Sequence, residues 1–119
     1  MIDCATGEEY INAGCSGGLP NFAFDYLIDL GGLALRSEYP YEAHEGTCNK
    51  RNFERYASIK SYAFLDSEEG LKNLVGALQD GPVSVAVGAN DAFLLYSSGV
   101  FDAQCDIPTN HAVNIVGYA

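Results

Sequence analysis

A histidine, His111, opens the apolar, partly β-branched run Ala112-Val113-Asn114-Ile115-Val116-Gly117-Tyr118 in a chain of 119 residues. Imidazole is the side chain best suited to take up and release a proton near neutral pH. Far upstream stands Gly14-Cys15-Ser16-Gly17-Gly18, a turn that sets a thiol beside two adjacent glycines. A thiol can be a nucleophile, a metal ligand or half of a disulfide. Glycines, having no Cβ, let another backbone come close. On pattern alone each also has an ordinary reading. A histidine at a strand start is more often structural, and paired glycines more often make a turn.

Other chemistries find little support. Cys4, Cys15, Cys48 and Cys105 are scattered with no C-x-x-C pair, and His44 and His111 lie far apart. That spacing argues against a structural zinc, and no metal or cofactor is expected. Disulfides in an oxidising compartment are the better reading, with three full pairings open to four cysteines. The carboxylates show no paired spacing of the glycosidase kind, and the glycine turn lacks the lysine of a phosphate loop. His44, Asp3, Glu8 and Glu9 are read as solvated. A net charge of −10 repels phosphate backbones and anionic membrane surfaces, so no nucleic-acid partner is expected. No run approaches the roughly 20 apolar residues of a membrane span. No signal-peptide pattern opens the chain and no N-glycosylation sequon occurs.

The elements that must hold these residues follow from pattern. Residues 1–19, rich in glycine and small side chains, read as loop with a short helical turn near Met1. Pro20-Asn21 looks like a helix start, with proline in the first turn and asparagine as cap. Phe22, Tyr26 and Leu30 recur at helical spacing, and Gly31-Gly32 ends the helix. Residues 33–56 read as an extended loop. Ile59 to Leu65 has strand character. Asp66 and Ser67 before Glu68-Glu69 mark a second helix start, whose apolar stripe is Leu71, Leu74, Val75 and Leu78. Gly81-Pro82 stops it. Val83 to Val87 alternates as a strand, Phe93 to Tyr96 is a short ambiguous piece, Gly99-Val100-Phe101 begins another extended segment, and residues 111–118 form a last strand. A helical, loop-rich half followed by a mostly β half is an α+β fold.

Six motifs fall in one order: Ile2-Asp3-Cys4, Gly14-Cys15-Ser16-Gly17-Gly18, Tyr39-Pro40-Tyr41, Gly81-Pro82-Val83-Ser84-Val85, Gly99-Val100-Phe101, and Asn110-His111-Ala112-Val113 through Gly117-Tyr118. In this order the chain resembles the middle of a papain-like cysteine peptidase of the cathepsin L type over essentially its whole length. The resemblance implies one partial domain over residues 1–119. Residues 1–57 would belong mainly to the helical left lobe and 58–119 would start the β-barrel-like right lobe, with the active site in the cleft between lobes.

The resemblance also assigns roles. Cys4 would pair with Cys48, closing a loop of about 44 residues worth roughly 3–4 kcal/mol. Cys15 and Cys105 would stay unpaired within the chain, their family partners lying elsewhere. His111 would hold a cysteine as thiolate and then protonate the leaving amine. Gly17 and Gly18 would line the cleft and pair with an extended substrate backbone. Leu19, Pro20, Ala86 and Thr109 would shape a mainly apolar S2 pocket favouring Leu, Val or Phe at substrate P2, with Pro20 stiffer than the residues usual there. Asn110 would either hydrogen-bond near the S1′ side or cap the strand entry as a turn residue.

The nucleophile has no counterpart in these residues. There is no tryptophan and no Cys-Gly-Ser-Cys-Trp, and all four cysteines match structural positions of the family. Nor are the family's oxyanion glutamine and orienting asparagine present, and an apolar residue such as Met1 stands at an interior place in the family. The resemblance implies a segment of an endopeptidase acting through a Cys/His acyl-enzyme, not active as this chain alone. A complementing chain or another part of the same polypeptide would complete it. Its substrates would be peptides or proteins, and its location lysosomal, vacuolar or secreted. The alternative is a non-catalytic papain-like module with a structural or protein-binding role. Standing alone, such a segment would leave an unfinished barrel edge open to association.

Overall fold

The computed structural model describes residues 1–49, 53–65, 69–104 and 106–119, with only the backbone of Leu71. They form two compact units, Met1–Phe64 and Leu65–Ala119. The first unit is built on α1, Pro20–Leu30. Pro20 sits in its first turn, as expected. The cap, however, is Leu19 rather than Asn21, and no side chain caps the helix. Gly31 closes α1 in the left-handed conformation (φ 77°) and its N–H returns to the Ile28 carbonyl, because only glycine takes that conformation without a Cβ penalty. One face of α1 buries Tyr26 and Leu27. Tyr26 meets Tyr10 edge-on, ring centroids 5.1 Å apart, and with Ala5 they form the unit's small core, against which Cys4 and Leu30 pack. The Tyr10 hydroxyl donates to Asp29 at 3.0 Å. Its burial, reinforced by that carboxylate, pushes its pKa up to about 12.

The loop after α1 is tied down at both of its ends. Leu33 and Ala57 form an isolated antiparallel bridge. Cys4 and Cys48 are joined by a disulfide. Beside it, Asp3 is half-buried rather than solvated. Its carboxylate accepts from the Gly46 N–H at 2.8 Å and from the Tyr39 hydroxyl at 2.7 Å. The Gly46 hydrogen bond, then that from Tyr39, holds the Asp3 carboxyl below its usual range. Glu8, Glu9 and His44 are exposed, as read from the sequence.

A carboxyl more acidic in the folded state stabilises the fold above the unfolded pKa of about 3.9, and that contribution disappears as pH falls through the folded value. Asp3→Asn in the folded protein is expected to cost about 1–2 kcal/mol near neutral pH. In denaturant titrations the gap to wild type should close as pH drops below about 3.9. A gap unchanged down to strong acid would show that charge at Asp3 plays no part.

In the second unit, α2 (Gly70–Ala77) leads through a turn to β1 (Val83–Val87), then α3 (Asp91–Leu94) and β2 (His111–Ile115). Leu74, Val75 and Leu78 are half-buried. The expected cap at Asp66 and Ser67 lies outside the described residues. β1 and β2 pair antiparallel, with Val83 opposite Ile115, Val85 opposite Val113 and Val87 opposite His111. β2 stops at Ile115 rather than Tyr118. Its partner β1 begins at Val83, directly after Pro82, so the ladder ends at the Val83–Ile115 pair.

Two expected extended segments are not strands. Ile59 to Leu65 finds no ladder partner, and its Tyr62 instead packs on Phe24 and Phe64 at 5.6 and 5.7 Å. Around Gly99 the chain turns, the Tyr96 hydroxyl donating to the Gly99 carbonyl at 2.6 Å, and Phe101 packs edge-on against Phe93 and Tyr96. The ambiguous piece from Phe93 lies partly in α3. That helix is capped by Asn90, whose side-chain oxygen accepts from the Phe93 N–H. No described side chain of this unit is buried.

Candidate functional site

His111 is the first residue of β2 and is exposed. Its position is fixed by the residue before it. The Asn110 N–H donates to the Val87 carbonyl at 3.0 Å. The Asn110 side chain accepts from the Ala89 N–H at 2.8 Å and donates to the Ala89 carbonyl at 3.3 Å. A side-chain amide has the same donor and acceptor as a peptide unit, so Asn110 extends the β1–β2 pairing past its last backbone rung. Of the two readings of Asn110, these contacts support the strand-entry one.

The two-residue period of a strand puts His111 in one row with Val83, Val85, Val87, Val113 and Ile115. Ala86 falls in the other row, directly opposite Ala112. Sequence reading picked out Ala86 and passed over Ala112; the pairing of two small residues becomes visible only once the register is known. Thr109 and Asn110 are exposed at the same end of the ladder. Thus Ala86, Thr109, Asn110 and His111 come together within the second unit.

The glycine turn lies in the first unit. Gly14–Ser16 is a single turn of 3-10 helix, closed by Ser16 N–H to Ala13 carbonyl and by Ala13 N–H to Gly17 carbonyl, 2.8 and 2.9 Å. The Cys15 N–H donates to the Glu45 carboxylate at 2.7 Å. Gly17 has φ 107° with open space where a Cβ would stand. At Gly18 a Cβ would overlap the Asn12 side chain, and that same side chain accepts from the Leu19 N–H at 2.8 Å. Gly18 is therefore glycine because Asn12 occupies the space beside it. Leu19 is 53% exposed, and Pro20 is half-buried at the start of α1. Sequence reading missed Asn12 and Glu45. An asparagine six residues before a glycine carries no local signal of its own.

Cys15 is exposed and unpaired among the described residues, while Cys105 lies outside them. No cluster of His, Cys, Asp and Glu among the described residues could hold a metal ion. A cavity of about 430 Å³ in the first unit, lined by Asp3, Tyr39, Tyr41, Glu42, His44 and Phe53 among others, contains none of the expected site residues. No helix among the described residues is long and apolar enough to cross a membrane.

Comparison with known proteins adds four findings. The family described as papain family cysteine protease matches residues 1–119. A probable cysteine protease, RDL2, of Arabidopsis thaliana is 41% identical over 99% of this chain and 33% of its own length. Mouse cathepsin S is 39% identical over 99% of this chain and 35% of its own. The solved structure of the bromelain protease from Ananas comosus, in complex with the E64 inhibitor, superposes with a TM-score of 0.86 at 36% identity, covering 97% of this chain and 51% of that one. The chain spans about a third of the length of the curated relatives it matches.

Proposed function

Since the chain belongs to the papain family of cysteine proteases, we propose that residues 1–119 are the histidine-bearing segment of a peptide-bond hydrolase. The observation that carries this reading is the placement of His111 at the head of β2, its backbone held by Asn110 against Val87 and Ala89. His111 serves as the general acid–base: paired with a cysteine outside residues 1–119, it keeps the sulfur as thiolate, and after attack it protonates the leaving amine. No metal takes part in this scheme. We assign residues 1–57 mainly to the left lobe and 58–119 to the start of the right lobe, with Gly17 and Gly18 beside the substrate and Gly18 pairing with its backbone. To recognition of an apolar P2 side chain we assign Leu19 and Pro20 of the first unit and Ala86 and Thr109 of the second, together with Ala112 opposite Ala86.

The second unit supports a completing segment or chain. A two-stranded sheet is marginal alone in water, and Leu94, Leu95, Val100 and Val116 are 70–91% exposed. These side chains await cover from the rest of a barrel. A lysosomal, vacuolar or secreted setting fits the Cys4–Cys48 disulfide.

The test is the intact mass of the native protein with and without reductant, run beside hydrolysis of a peptide with leucine at P2. A polypeptide longer than 119 residues, or a second chain released on reduction, is expected to contain the nucleophilic cysteine, and the native material should cleave the peptide. A mass equal to residues 1–119 alone, before and after reduction, with no cleavage, would sink the protease reading and leave the non-catalytic module.

A further inference from the structure

The hydrogen bonds around the glycine turn leave one residue open. Gly17 is engaged at both backbone groups, its N–H with the Gly14 carbonyl and its carbonyl with the Ala13 N–H. Leu19 is likewise engaged, its N–H with Asn12 and its carbonyl with the Ala23 N–H of α1. Between them, the Gly18 N–H and C=O have no partner among the described residues. Gly18 is exposed. A free N–H and C=O on one exposed residue is what an extended peptide needs to add itself by two main-chain hydrogen bonds.

One side chain sets this arrangement. The Asn12 oxygen takes the Leu19 N–H, and the body of the side chain fills the space where a Gly18 Cβ would point. We propose that Asn12 is a positioning residue for substrate: it fixes the backbone orientation at Gly18 so that both free groups face an incoming peptide. The inference rests on the protease reading above and adds a residue to it. Asn12 does not touch the reacting atoms. It acts by removing rotational freedom from Gly18, the residue type with most to lose on ordering. Without the clamp, that freedom would have to be lost on each binding event.

The test uses the whole native protein and two substrates: a peptide extended through P3, which can pair with Gly18, and a single-residue ester, which cannot. Asn12→Ala is expected to lower kcat/KM for the extended peptide by about 5–10-fold, mostly through KM, and to leave the ester within about twofold. Asn12→Asp retains an acceptor for the Leu19 N–H and should restore most of the loss. Should the alanine variant fail to fold, Asn12→Leu, similar in size but without an acceptor, replaces it in the comparison with Asn12→Asp. An equal loss on both substrates, or none on either, would overturn the positioning role while leaving the protease reading intact. Hydrolysis of neither substrate by the wild-type protein would overturn both.

Discussion

Replacing His111 with alanine in the protein that carries this segment is expected to lower kcat/KM for peptide hydrolysis by about 10³-fold. The imidazole would be needed twice, first to hold the nucleophile as thiolate and then to give the leaving amine its proton. Neither Val87 nor Asn110 can substitute, since neither side chain titrates. Stability should change little, because His111 is exposed and its backbone pairing with Val87 does not depend on its side chain. A second readout separates chemistry from folding. In the wild type, alkylation of the nucleophilic thiol should remain fast well below the ordinary cysteine pKa of about 8.5. In His111→Ala its pH dependence should move up toward that value. Full peptide hydrolysis by the alanine variant would remove His111 from the mechanism, whatever the family.

The second large effect concerns the Cys4–Cys48 disulfide, which spans 44 residues of sequence. Restricting a loop of that length in the unfolded chain is worth about 3–4 kcal/mol on the chain-entropy account. Cys4→Ser with Cys48→Ser is expected to reduce unfolding free energy by about that amount in a denaturant titration of the native protein. The local setting keeps the figure from being smaller. Cys4 packs against the Ala5–Tyr10–Tyr26 core, so freeing it loosens the anchor of α1 as well as the loop. A loss below about 1 kcal/mol would mean that the unfolded chain is already confined by other means.

The legible parts of the fold were those fixed by local chemistry. Pro20 and Gly31 bracket α1 because their preferred backbone angles suit a first turn and a left-handed cap, and the alternation from Val83 to Val87 is a strand because one row of valines needs cover. The failures share a different cause. Ile59 to Leu65 has strand composition, yet a strand exists only where another offers a complementary edge, and Tyr62 found an aromatic neighbour instead. β2 stops early because its partner β1 begins only at Val83, on a distant segment. Asp3 looked like any solvated carboxylate, and its partners Tyr39 and Gly46 lie more than thirty residues away. The candidate site divides in the same way. His111 and the glycine pair stand in recognisable motifs, whereas Asn12, Glu45 and Ala112 gain meaning only from what the chain brings beside them.

The neighbourhood of Cys4 also bears on repair. Asp3 grips Tyr39 and Gly46, one residue before Cys4 and two residues before Cys48, and it does so by ordinary hydrogen bonds that reduction does not touch. After the sulfur–sulfur bond is cut, the carboxylate still tethers the two thiols' backbones near one another. Re-forming the bond is then a reaction at high effective concentration rather than a search through the ensemble. Protons loosen this tether and electrons cut the covalent link, so a passing change in either one alone leaves the loop able to close again where it was.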